Sequence, residues 1–153
     1  MKKHKICIVG GGLTGLISAL VLTKKGLDID LIVENTSPKN KDLRVTAISK
    51  KNMEFLKSTI KKINLKLFYP VKKINLFFER NNQIKNFLNF DENKNLMFFF
   101  ENRFTKEHLI KLLKKTKIKV QKKTIKSIDL AENKVFTNLS SKSYDLVVLC
   151  LGS

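Results

Sequence analysis

Apolar and polar positions alternate in distinct ways along the chain. From Ile6 to Glu34 a short apolar run (Ile6 to Val9) meets glycines at 10, 12 and 15, continues with helical apolar spacing, and returns to a second apolar run ending in Glu34. This order predicts strand, tight turn, a helix starting near Leu13, strand and acid, with Gly26 at the helix exit. A polar connector, Asn35 to Lys41, carries Pro38. After it, Asp42 to Ser49 (D-L-R-V-T-A-I-S) leads into a helical segment in which Ile48, Phe55, Leu56, Ile60 and Ile63 share a face.

The texture changes between Leu67 and Phe100. Runs rich in Phe and Ile, Val71 to Glu79 and Ile84 to Phe90, flank a polar turn at Arg80-Asn81-Asn82-Gln83, and Leu96 to Phe100 is wholly apolar. These predict antiparallel strands. A helix follows from about Thr105 to Lys115, with Thr105 as N-cap and Leu109, Leu112 and Leu113 on its apolar face. Ile118 to Val120, Ile125 to Leu130 and Lys134 to Phe136 read as strands with a turn at Ala131 to Asn133, and Tyr144 to Leu151 as a buried strand returning to a parallel sheet.

The fold class is therefore α/β. A Rossmann-like βαβ unit with a parallel sheet is expected over residues 1–66 and 101–153, and residues 67–100 form an antiparallel β insertion. Gly10 permits the sharp turn off the first strand, Gly12 lets backbone approach a pyrophosphate, and Gly15 and Ala19 let the helix pack closely on the sheet. The helix N-terminus turns amide groups and positive dipole toward phosphates. Glu34, at the end of the second strand, is placed to accept hydrogen bonds from a ribose. A glycine triplet alone is weak evidence, but here it has its strand, its helix and its acid.

Other candidates carry alternatives. Arg44 either swings back over the nucleotide crevice to meet a phosphate oxygen or is a solvated surface arginine. Phe87, Phe90, Phe98, Phe99 and Phe100 either line an apolar pocket or, for most of them, pack a core. His4 and His108 are read as surface residues without a metal or base role. No Ser-His-Asp, Cys-x-x-Cys or paired-carboxylate pattern is present, so no residue is assigned as catalytic or metal-ligating, and chemistry falls to a cofactor.

Composition adds one question. The 153 residues carry a formal net charge of +18, which suits a polyanionic partner. Yet only three of the 31 basic residues, Arg44, Arg80 and Arg103, are arginine, and the charge is dispersed. Enrichment of Lys, Asn, Ile and Phe together also fits a bias in the coding DNA, and no specific nucleic-acid partner is expected. Cys7 and Cys150 fall in apolar runs and read as small buried hydrophobes of central strands in a reducing compartment. No apolar run reaches the roughly 18 residues of a membrane span.

Taken together, Gly10 to Glu34, D-L-R-V-T-A-I-S at 42–49, E-N-R at 101–103 and Y-D-L-V-V ahead of a glycine resemble the aromatic-hydroxylase class of FAD-dependent monooxygenases. Within it they are most similar to the ubiquinone-biosynthesis hydroxylases, over essentially the whole chain. The resemblance implies that Gly10, Gly12 and Gly15 receive the FAD pyrophosphate, with Gly11, Leu13 and Thr14 in the same turn. It places Glu34 and Asn35 at the adenosine ribose, Arg44 and Val45 on the cofactor, Arg103 and Lys106 toward the flavin, and Gly152 after the last strand. It further implies NAD(P)H as reductant, a lipophilic aromatic quinone precursor as substrate, and a cytoplasmic protein with peripheral membrane contact.

Two departures stand out. Leu151-Gly152 replaces the family's Asp-Gly pair, and the family continues with a Gly-Asp motif for the ribityl phosphate and with the rest of a substrate domain. The expectation is an N-terminal part with its adenine half-site formed and its flavin half-site incomplete, calling for a C-terminal portion or a partner chain. The alternatives are a non-catalytic dinucleotide-binding module or pseudoenzyme and, ranked last, a basic nucleic-acid-binding protein.

Overall fold

The computed structural model describes residues 3–34, 42–91 and 94–151. In chain order the elements are β1 (Lys5–Val9), α1 (Leu13–Lys24), β2 (Asp28–Val33), β3 (Val45–Ser49), α2 (Lys50–Thr59), β4 (Tyr69–Val71), β5 (Lys73–Arg80) and β6 (Gln83–Asp91). They continue with β7 (Met97–Glu101), α3 (Asn102–Leu113), β8 (Lys119–Lys122), β9 (Ile125–Asp129), β10 (Lys134–Thr137), β11 (Ser141–Ser143) and β12 (Leu146–Leu149). Two compact units result, Met1–Asp42 with Arg103–Ser153, and Leu43–Asn102. The second takes in residues 43–66, which the sequence pattern groups with the first.

The first unit is built on a parallel sheet in the order β12-β1-β2-β8. Side chains of a strand alternate between faces, and the register puts Ile6 beside Ile29 and Ile8 beside Leu31 on one face. That face meets α1, which buries Gly15, Leu16, Ala19 and Leu20. Cys7, Val9 and Ile32 point to the other face and join Val135 and Tyr144, with Ile125 and Ile128 packed against them. The antiparallel sheet β11-β10-β9 thus forms a third layer where a Rossmann-type fold more often has helices.

In the second unit β3 and β4 flank β7 in an antiparallel sheet, and among the described residues β5 pairs only with β6. The hairpin turn has Asn81 and Asn82 at φ 52 and 58, the left-handed pair required by a type I′ turn. Three expectations change here. Ile48 belongs to a strand, because Val45–Ser49 pairs with β7, and Ser49 caps α2 by accepting from Asn52 N. The buried face is then Met53, Leu56, Ile60 and Ile63, while Phe55 is exposed. Of the five phenylalanines, Phe98 and Phe100 are buried, whereas Phe87, Phe90 and Phe99 are exposed.

Two more corrections concern the last third of the chain. Helix α3 starts at Asn102, so Thr105 is not its cap; it lies at i, i+4, i+8 with Leu109 and Leu113, and all three are buried. Strand β12 is an edge strand among the described residues, with Leu146 and Leu149 each 49% exposed, and Cys150 beyond it is half-buried. An edge strand has one paired neighbour only, which is why its apolar run is not fully covered. His4 is exposed and His108 half-buried.

Candidate functional site

β1 ends at Val9 and the chain turns at Gly10, whose φ of +119 is rarely adopted by L side chains. A Cβ at Gly10 would run into the Cys150 carbonyl, and one at Gly15 into the Gly10 carbonyl, with Cys150 Cβ 3.4 Å away. Two hydrogen bonds fix the turn: Cys150 N donates to Val9 O at 2.7 Å and Gly10 N to Ile32 O at 2.9 Å. The turn is held between the ends of β12 and β2. This is also where the strand order reverses, since the chain proceeds from β1 to β2 and β8 before returning to β12 on the other side. Open α/β sheets bind ligands at that switch point, beyond the carboxyl ends of the strands.

Gly12 behaves in the opposite way. A Cβ there would meet nothing within 4 Å, so the space in front of it is open. Gly12 is the N-cap of α1, makes no side-chain cap hydrogen bond, and is followed by a first turn without acidic residues. Leu16 N donates to Gly12 O at 3.0 Å, and the amides that precede it in the helix lack an intrahelical acceptor. Open space in front of uncapped amides and a positive helix end fits a pyrophosphate, and a Cβ at Gly12 would occupy it. Gly11, Leu13 and Thr14 belong to the same turn, and exposed Glu34 directly follows the neighbouring β2. These residues can bind and orient an adenine dinucleotide.

The other sequence candidates lie on other elements. Arg44 and Val45 are exposed in the second unit, where the Arg44 carbonyl accepts from Asn102 N at 3.0 Å and Val45 pairs with Glu101. Arg103 is turned along its own helix: its Nε donates to Glu107 Oε1 at 3.3 Å and its guanidinium lies 5.6 Å from the Phe104 ring centre. Lys106 is half-buried on the same helix. Asn35 and Gly152 lie outside the described residues. Cys150 is the site residue that the sequence pattern missed; the signal was its place at the end of a strand that returns to β1. No group of three or more His, Cys, Asp or Glu suited to a metal ion occurs among the described residues.

A second polar feature sits inside the sheet. Asp30, in the middle of β2, is fully buried; its Oδ2 accepts from Lys142 Nζ at 2.5 Å and from Tyr144 Oη at 3.0 Å. Burial alone would push the Asp30 carboxyl up, but the hydrogen bonds from Lys142 and Tyr144 and the nearby ammonium groups outweigh it and hold it below its ordinary value. Burial, then the neighbouring Cys7 and Asp30, raise Tyr144 well above the usual phenol range, and burial beside Asp30 pushes the Cys7 thiol up to about 11. Cys7 is thus an inert, protonated core residue. The cluster ties β11 and the segment after it to β2.

The turn, helix and acid define the first unit as a dinucleotide-binding domain. Residues 3–129 match the family described as FAD binding domain, and the chain belongs to that family, which makes FAD its cofactor. No curated protein matches the chain. Among solved structures, FqzB is 14% identical over 97% of this chain and 36% of its own, with a TM-score of 0.78. The tetrameric form of 2-methyl-3-hydroxypyridine-5-carboxylic acid oxygenase is 14% identical over 96% of this chain and 39% of its own, with a TM-score of 0.76. The Diels-Alderase PyrE3 of pyrroindomycin biosynthesis is 16% identical over 99% and 33%, with a TM-score of 0.68. At these identities the likeness is one of fold, and the chain spans well under half the length of each.

Proposed function

We propose that the chain is the FAD-holding portion of a flavin-dependent monooxygenase that hydroxylates an aromatic ring, of the ubiquinone-biosynthesis type. The observation that carries the reading is the glycine turn at the switch point, with open space at Gly12 in front of an uncapped helix. The oxygenase among the similar folds and the D-L-R-V-T-A-I-S segment at 42–49 support the hydroxylase assignment. When bound, FAD would supply the redox chemistry, accepting electrons from NAD(P)H and activating molecular oxygen, one atom of which would enter a lipophilic aromatic ring while the other leaves as water. The chain's own residues hold the cofactor: the amides at 12–15 take the pyrophosphate and Glu34 the ribose hydroxyls, while Arg44, Arg103 and Lys106 are assigned nearer the flavin.

The chain spans 36% and 39% of the length of two of its solved neighbours. Leu151, which offers neither charge nor a side-chain hydrogen bond where the family has an acid, favours a second reading. In it the chain is a dinucleotide-binding module that works with a partner polypeptide.

Titration with FAD, followed by flavin fluorescence and by ADP competition, tests the shared core of both readings. FAD binding that ADP displaces is expected, and Gly12→Val removes it with the fold retained, since its side chain enters the space reserved for phosphate. Absence of both FAD and ADP binding contradicts the proposal. NAD(P)H-dependent hydroxylation of an aromatic ring by the FAD-loaded protein separates enzyme from module.

A further inference from the structure

The buried cluster around Asp30 lies on the same three strands that hold the nucleotide turn. Strand order places β1 between β12 and β2, and the register sets Cys7 beside both Asp30 and Val147. Two residues further along the same face, roughly 7 Å away, the next row is Ile32, Val9 and Leu149. Hydrogen bonds of the turn start from that row: the Ile32 carbonyl accepts from Gly10 N and the Val9 carbonyl from Cys150 N.

The donors to Asp30 come from the chain that leads into β12. Lys142 is in β11, and Tyr144 lies between β11 and β12 in a core cluster with Cys7. Lys142 Nζ is 5.3 Å from the Tyr144 ring centre, so the two donors brace each other. Both bonds fall on Asp30 Oδ2, while Oδ1 is buried without a hydrogen-bond partner. The next residue, Asp145, docks on β1: its N donates to Lys5 O at 2.9 Å, and Lys5 N donates to its Oδ2 at 2.6 Å.

Strand β12 needs such support. It has four residues and, among the described residues, β1 as its one neighbour. Yet its far end has a demanding place, since the Cys150 carbonyl stands where a Cβ on Gly10 would be. Buried ion pairs add little net stability, and their best-attested use is to fix register. Here the pair ties the entry of β12 to β2, across β1.

We propose that Asp30 is a positioning residue for the nucleotide turn: with Lys142 and Tyr144 it fixes β12 against β1 and β2, and so holds the Cys150 carbonyl and Gly10 in the shape that receives a pyrophosphate. The inference rests on the nucleotide reading of that turn, so one arm of its test needs no nucleotide. In the ligand-free chain, amide hydrogen exchange at Gly10 and Cys150 is measured against that of Leu20 and Val21 within α1. Lys142→Met should raise this ratio about tenfold. Tyr144→Phe keeps the buried ring, loses one bond and should raise it about threefold, which decides the question if Lys142→Met does not fold. Lys142→Arg, which keeps a charged donor, should stay closer to wild type than Lys142→Met. Leu109→Ala, a buried deletion in α3 outside these strands, lowers stability but should not raise the ratio.

The second arm titrates ADP into the folded protein. Lys142→Met should weaken binding about three- to tenfold, and Leu109→Ala should leave it unchanged, because lost stability alone does not lower the affinity of folded molecules. Wild-type ratios in both Lys142→Met and Tyr144→Phe overturn the proposal, as does an equal rise in Leu109→Ala. Wild-type ADP affinity in Lys142→Met overturns it too. Absence of ADP binding in the wild type would overturn the nucleotide reading instead, and the exchange ratios would still decide whether Asp30 shapes the turn.

Discussion

Strands β1–β2 and the β5–β6 hairpin are both rich in large apolar residues, yet they bury them to opposite extents. Every residue of β2 after Asp28 is buried, whereas every residue of β6 is exposed. The difference lies in what covers the strands. The β1–β2 pair has α1 on one face, the β9–β11 sheet on the other, and paired neighbours on both edges. The hairpin has one partner strand and no sheet neighbour among the described residues. Apolar content makes a strand; only a second layer turns that content into stability, and a two-stranded ribbon alone is marginal in water.

Substitutions in the two regions should therefore differ sharply. Leu31→Ala, deep in the sheet, is expected to cost about 2–5 kcal/mol in urea unfolding, through lost transfer energy and the cavity left behind. A cost below about 1 kcal/mol would mean that the sheet is not the stability core. Asp30→Asn should cost less, about 1–3 kcal/mol, by weakening the bond to Lys142. It also carries a pH signature. The Asp30 pKa is depressed in the folded state, so its stabilisation is present above the ordinary carboxylate pKa of about 3.9 and is lost as pH falls through the folded value. Wild type should lose stability on acidification below pH ~4 more steeply than Asp30→Asn, and parallel profiles would contradict this. Ile84→Thr, at a hairpin position 72% exposed, should change stability by less than about 0.5 kcal/mol. A larger loss would show that something covers that face.

The same contrast explains what could be read from the sequence. The order of elements from Gly10 to Glu34 was legible because its signals are local: periodicity, the glycines and the acid all lie within one stretch. The 80–83 turn was legible for the same reason, since consecutive asparagines tolerate positive φ. Elements defined by distant pairing were not. Ile48 has helical spacing with later residues, but strand β3 forms because β7, some 50 residues on, pairs with it. Asp30 carries no local signal, because its partners Lys142 and Tyr144 are 112 and 114 residues away. Cys150 became part of the turn only when β12 came to lie beside β1. Thr105 follows the usual preference for an N-cap, yet Asn102 already accepts a hydrogen bond from Thr46 and the helix starts there.

The central claim is that the turn at residues 10–15, with Glu34, holds the adenosine end of FAD. Amide chemical shifts of the isotopically labelled chain, recorded during titration with ADP, test it most directly. Saturable shifts concentrated at Gly10 to Gly15 and at Glu34, absent in Gly12→Val, are the predicted result. Shifts confined to residues other than these, or none at all, would contradict it.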